Sequence, residues 1–215
     1  MASNKIDLKK EDKALISPSS KAFSVIEVPA QLFLMVDGRG DPNGEVFGQA
    51  VEGLFSVAYG VKFLSKKEPG IDFVVMPLEG LWWAEDMSDF DPQEGDREQW
   101  LWRAMIRQPG HVTTGMVAEA AAKAKTKGKG GDGVEAIRLE WFAEGLAVQI
   151  MHIGPFSEEG PTIQRLHQEF LPENGLVENG HHHEIYLSDM RRTAPEKLRT
   201  VLRQPVRVVR GGRGD

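Results

Sequence analysis

Glu184 and Tyr186 lie two residues apart in the run His183 to Leu187, whose short alternating pattern predicts a strand. Side chains alternate along a strand, so Glu184 and Tyr186 share one face and Ile185 takes the other. A carboxylate beside a phenol supports two kinds of chemistry. It can hold an organic cation, the carboxylate supplying charge and nearby rings supplying quadrupole attraction. Alternatively, the glutamate takes a proton from water while the tyrosine positions or protonates a departing group. The same spacing also suits a surface strand with Glu184 solvated and Tyr186 half buried.

Other chemistry-bearing residues narrow the field. Trp82 and Trp83, adjacent in a predicted strand, face opposite sides, so one of the pair can enter a given pocket, and Trp100 or Trp102 can add another ring. These rings read either as a stacking wall for a flat ligand or as core. His181, His182 and His183 are consecutive and alternate sides, His152 and His167 are isolated, and no ligand spacing accompanies them, so no metal site is expected. Gly-Arg-Gly-Asp at 38–41 and again at 212–215 reads as turn usage. Gly38-Arg39-Gly40 lacks the dinucleotide spacing, no phosphate-loop pattern occurs, and Ser157 and Ser188 have no nucleophile-elbow context. No cofactor is expected.

The elements that must position these residues recur in a repeated order. Residues 1–20 are charged and then turn-rich, and read as a loosely attached arm. Phe23 to Val28 and the apolar run Gln31 to Val36 read as strands, Asp37 to Gly44 as a loop, and the stripe Phe47, Ala50, Val51, Leu54, Phe55 and Ala58 as a helix. Ile71 to Met76 reads as a strand, Leu78-Glu79-Gly80 as a turn, and Leu81-Trp82-Trp83 as its partner. The second half runs Val134 to Phe142, a hairpin-like turn at Glu144-Gly145, Ala147 to Ile153, the loop Gly154 to Pro161, a helix through Ile163, Leu166, His167, Phe170 and Leu171, the His183 to Leu187 strand, and Val206 to Val209. Between the halves, Asp96 to Arg107 has helix formers at four-residue spacing and Met116 to Lys125 is alanine-rich, so a helical insertion is expected. The expected division is an arm over 1–20, a first half over 21–95, a helical insertion over 96–130, a second half over 131–210 and a tail over 211–215. Residues 21–210 would form one integrated ligand-binding domain of the α+β class.

Composition sets outer bounds. With 26 basic and 32 acidic residues the formal charge is −6, and no basic block is long enough to track a phosphate backbone, so direct nucleic-acid binding is not expected. The absence of cysteine rules out disulfides, thiolate metal sites and thiol nucleophiles, and fits a cytoplasmic location. No apolar run approaches the roughly 20 residues of a spanning helix, so no membrane partner is expected.

Three strings carry a family resemblance. Trp100-Leu101-Trp102-Arg103-Ala104-Met105-Ile106-Arg107-Gln108-Pro109, His182-His183-Glu184-Ile185-Tyr186-Leu187-Ser188-Asp189 and Glu79-Gly80-Leu81-Trp82-Trp83 resemble segments of stand-alone GyrI-like small-molecule-binding proteins. The resemblance implies two βαββ modules related by a pseudo-twofold, with antiparallel sheets and a ligand cleft between them. Its first functional implication is a cytosolic receptor or sink for bulky aromatic compounds, cationic ones among them. The alternative is a cofactor-independent hydrolase of cyclopropane-bearing electrophiles, in which Glu184 activates water and Tyr186 assists. A third is an interaction protein with a partner such as gyrase. Glu184 matches the family's pocket glutamate and Tyr186 its neighbouring tyrosine, with Trp83, then Trp82, Trp100 and Trp102, as ligand-binding rings. Residues 1–20 carry no DNA-binding pattern, so promoter binding is not expected.

Overall fold

The computed structural model describes residues 5–86 and 95–209. The second Gly-Arg-Gly-Asp and the 211–215 tail lie outside the described residues. In chain order the strands are β1 (Ser24–Val28), β2 (Gln31–Arg39), β3 (Leu78–Trp83), β4 (Leu101–Gln108), β5 (Arg138–Phe142), β6 (Gly145–Ile153), β7 (Leu176–Glu178), β8 (His182–Tyr186) and β9 (Arg199–Val208). The helices are α1 (Leu8–Glu11), α2 (Lys13–Ile16), α3 (Glu45–Lys67), α4 (Thr114–Thr126), α5 (Gly160–Arg165) and α6 (Leu171–Glu173), the last two joined by a π-helical turn at Leu166–Phe170. The chain divides into two compact units: Met1–Lys13 with Ala30–Ala143, and Ala14–Pro29 with Glu144–Asp215. It is an α+β protein, and every strand pairing described below is antiparallel.

In the first unit the sheet order is β3-β4-β2-β5. β2 is apolar on both faces because both are covered. Phe33 and Met35 pack with Leu81 and Met105 on one face, joined by Trp83 and Phe142. On the other face the rings of Trp82 and Trp102 meet Phe47 of α3 at 5.3 and 5.1 Å. α3 buries Ala50, Leu54, Val57, Ala58 and Val61 along one stripe, with Glu45 in its first turn and Lys66 and Lys67 in its last, as the helix dipole favours. The Thr113 side chain accepts a hydrogen bond from the Met116 backbone N–H and starts α4.

Two glycines make room for the indoles. A Cβ at Gly38 would lie 2.1 Å from Trp102 Cη2, and one at Gly80 would lie 2.8 Å from Trp82 Nε1. Gly38→Ala is therefore expected to destabilise the protein by about 1–3 kcal/mol through overpacking. The check is a lower urea midpoint with an unchanged m-value.

Several expectations need correction here. Leu101–Gln108 is a strand, not a helix, so the helical part of the expected insertion is α4 together with a short 3-10 turn at Arg97–Gln99. Helix-forming side chains at four-residue spacing are overridden by a central place between β2 and β3, where Trp102, Ala104, Ile106 and Gln108 are all 2% exposed or less along a two-residue period. Ile71 to Met76 is not a strand; Phe73 makes only an isolated bridge to Ile6, and β3 begins where a turn was expected. Glu144-Gly145 is not a hairpin turn: β5 pairs with β2, whereas β6 pairs with β1 and β9. From Ile6 to Ser19 the segment is held rather than loose. In the first unit Ile6 bridges Phe73 and Asp12 pairs with Arg107.

In the second unit the order is β1-β6-β9-β8, with β7 also paired to β9. The helical segment beginning at α5 packs Leu166 and Leu171 against Val148, Leu176 and Val206. Residues 14–19 are pinned to this sheet: the Gln149 side chain donates to the Ala14 carbonyl at 2.9 Å, and the Met151 N–H donates to the Ser19 carbonyl at 3.0 Å. The first unit contains the run β2-α3-β3-β4, and the second runs β6, helix, β7, β8, β9, with the short β7 added to the βαββ order.

Candidate functional site

The register of β8, β9 and β6 sets Tyr186 opposite Thr200 and Thr200 opposite His152, with Glu184 opposite Leu202. Opposed residues point to the same side. His182, Glu184, Tyr186, Thr200 and His152 therefore share one face. Ile185 points the other way and packs with Met151, Val201 and Leu187.

The turn after β6 folds over the Tyr186 end of this face. The Phe156 ring meets Tyr186 edge-on, with centroids 5.5 Å apart. His152 Nε2 lies 3.2 Å from the Pro155 carbonyl oxygen, tying the turn to the strand. The turn ends at Glu159, which is 4% exposed. Thr200 lies beside the Glu159 carboxyl and favours its ionised form, while Glu159 Oε1 is buried without a hydrogen-bond partner. Burial first, and then the negative charge of Glu184, push Glu159 up to about 9, against the opposite pull of Thr200. Both effects favour the un-ionised form of Glu159. The Glu184 side chain is 15% exposed, and its Oε1 lies 3.4 Å from His182 Nε2. One face thus gathers two carboxyl groups and a phenol.

The opposite face supports β8 from behind. Glu144 accepts from Arg203 Nη1 at 2.9 Å and lies 2.8 Å from His183 Nδ1, and Arg203 also donates to Gln149 Oε1 and to the Leu15 carbonyl. The side chains of Glu144, His183 and Arg203 are 1–2% exposed. Burial alone would raise the Glu144 pKa, but the neighbouring His183 and Arg203 outweigh it and hold the carboxyl at about 2. Because His183 sits between His182 and Glu184, this network fixes the strand that presents Glu184.

The tryptophans belong to the first unit. Trp82, Trp100 and Trp102 join Phe47 in one aromatic cluster, with Trp82 and Trp100 centroids 6.2 Å apart and Trp102 1% exposed. Trp83, half buried, points to the other face of β3, beside Phe33, Met35, Leu81 and Met105. His182 and His183 face opposite ways, and among the described residues no group of three or more His, Asp or Glu side chains is placed to hold a metal ion. Among those residues no helix is long and apolar enough to cross a membrane.

Glu159, Glu144 and Arg203 escaped the sequence reading. Glu159 sits in a glycine- and proline-rich stretch that reads as a loop, and Glu144 in a dipeptide that reads as a turn. Acidic residues in such places are ordinarily solvated.

The fold is thus mixed α and antiparallel β, with ionisable and aromatic groups gathered on a half-buried sheet face. More narrowly, the chain belongs to the family of GyrI-like small molecule binding domains, which its residues 21–207 match. Among curated proteins no sequence matches it. Three crystal structures from Listeria innocua are similar to it, each covering 94% of this chain and 100% of its own. One, an uncharacterized conserved protein, is 45% identical with a TM-score of 0.84. The others, a hydrolase encoded by lin2189 and a hydrolase, are 44% and 42% identical with TM-scores of 0.82 and 0.79.

Proposed function

We propose that this chain is a cofactor-independent hydrolase of bulky aromatic electrophiles, with activated cyclopropanes as the substrate class. The observation that carries this reading is the shared face of Glu184 and Tyr186, closed at one end by Phe156 and Glu159. Whole-length similarity to proteins described as hydrolases supports it. Glu184 takes a proton from water, and the water oxygen bonds to the ring carbon. The strained carbon–carbon bond breaks, its electron pair passing to a conjugated carbonyl oxygen. Tyr186 supplies a hydrogen bond to that oxygen as its charge grows. Positioned proton transfer of this kind contributes about 10²–10⁴-fold, enough to matter when ring strain has already lowered the barrier.

A progress curve with substrate in large excess tests this reading. Many equivalents of ring-opened alcohol per protein are expected. Depletion that stops at one equivalent would mean capture without catalysis.

A further inference from the structure

Ring opening of the proposed substrate creates an oxyanion that must gain a proton, and the groups around Glu184 differ in their ability to give one. Tyr186 offers a phenol, which can donate or accept a hydrogen bond. His182 stands beside the base itself, its Nε2 3.4 Å from Glu184 Oε1. His152 is engaged with the Pro155 carbonyl. Glu158 lies at the same turn but is exposed. Glu159 is a carboxyl group 4% exposed, beside Thr200 and close enough to Glu184 to feel its charge, with Oε1 buried and without a hydrogen-bond partner. A buried polar atom without a partner is costly in a native protein, and functional sites are where such costs are tolerated.

We propose that Glu159 is the proton donor of this site, working as a pair with Glu184 as base. The inference rests on the hydrolase reading and deepens it. Glu184 receives one proton from water as the new carbon–oxygen bond forms. Glu159 gives one proton to the oxygen that received the electron pair of the broken carbon–carbon bond. The products are an alcohol and a neutral hydroxyl compound, Glu184 is left protonated, and Glu159 is left ionised. Transfer of the proton from Glu184 back to Glu159 restores both groups, so each cycle consumes water alone. Burial and the neighbouring Glu184 favour the proton-bearing form of Glu159, the form a donor needs.

The test is a pH–rate profile of native protein, Glu159→Gln and Thr200→Val on an activated cyclopropane. Native turnover is expected to fall on the alkaline side near pH 9, where Glu159 loses its proton. In Glu159→Gln, kcat is expected to drop about 10²-fold with KM nearly unchanged, and the alkaline limb to disappear. In Thr200→Val the limb moves to higher pH, because the hydroxyl that favours the ionised form is gone. A purely structural role for Glu159 would not move that limb. Retention of both kcat and the alkaline limb in Glu159→Gln overturns the inference and leaves the hydrolase reading standing. Absence of turnover in the native protein overturns both.

A second measurement reads the proton without turnover. The folded-state pKa of Glu159 is raised, so between about 4.5 and 9 the folded protein binds a proton that the unfolded chain has lost. The contribution of Glu159 to stability is thus full below about 4.5 and declines as pH rises toward 9. Glu159→Gln is expected to remove that decline from the pH dependence of the urea midpoint. An identical decline in the variant would show that Glu159 holds no proton, and would also overturn the inference.

Discussion

Glu184→Gln is expected to lower kcat by about 10²–10⁴-fold while leaving ligand affinity within a few-fold. Glutamine keeps the shape and hydrogen-bonding reach of the side chain but cannot take a proton from water. The substitution sits on β8 opposite Leu202, with its neighbours Ile185 and His183 buried on the other face, so the strand itself should be undisturbed. Removing the charge also relieves Glu159, whose pKa is held up partly by Glu184, and should bring it down toward the ordinary carboxylate range. Equilibrium titration alongside steady-state kinetics checks both halves. Equal losses in affinity and turnover would mean that Glu184 serves binding rather than proton transfer. Tyr186→Phe should be milder or comparable, up to about 10²–10³-fold in kcat, as for removal of one donor to a developing oxyanion.

The second large effect concerns stability. Glu144→Gln is expected to cost about 3–5 kcal/mol, because it leaves Arg203, 2% exposed, without its carboxylate. Against a total stability of about 5–15 kcal/mol, this brings the protein close to unfolding. Arg203→Met should cost a similar amount by stranding Glu144, whereas Glu144→Leu combined with Arg203→Met should recover much of the loss, since an apolar pair avoids the desolvation of two charges. The pH dependence has a definite sign. Glu144 has a depressed folded-state value of about 2 against 4.5 unfolded, so its stabilisation is complete above about 4.5 and is lost as pH falls through about 2. Urea midpoints of native protein and Glu144→Gln between these values measure that contribution as the part of the acid slope that the variant lacks.

The residues that announced themselves in the sequence did so through period and spacing. The apolar run of β2 and the stripe of α3 carry their burial in their pattern, and the structure buries both. Glu184 and Tyr186 could be placed on one face, opposite Ile185, because a strand has a two-residue period. β4 could not be recognised: Leu101 to Gln108 is composed of residues that also favour a helix, and only its place between β2 and β3 decides the matter. The pairing of β1 with β6 and of β5 with β2 was equally hidden, since local pattern does not reveal which distant strand supplies the partner. The same limit applies to chemistry. Glu159 and Glu144 are both buried glutamates beside turns, yet one is held near 9 by burial and Glu184 and the other near 2 by His183 and Arg203. Nothing in their own sequence neighbourhoods separates them. His183 reads as one member of a histidine run, and its partner in the fold is 39 residues away.

Reaction of an activated cyclopropane in ¹⁸O-labelled water, followed by mass spectrometry of both compound and protein, tests the hydrolase proposal most directly. The expected result is ring-opened alcohol carrying one solvent oxygen, in excess over protein, with the protein mass unchanged. Recovery of unaltered compound, or a protein heavier by the mass of the compound, would contradict it.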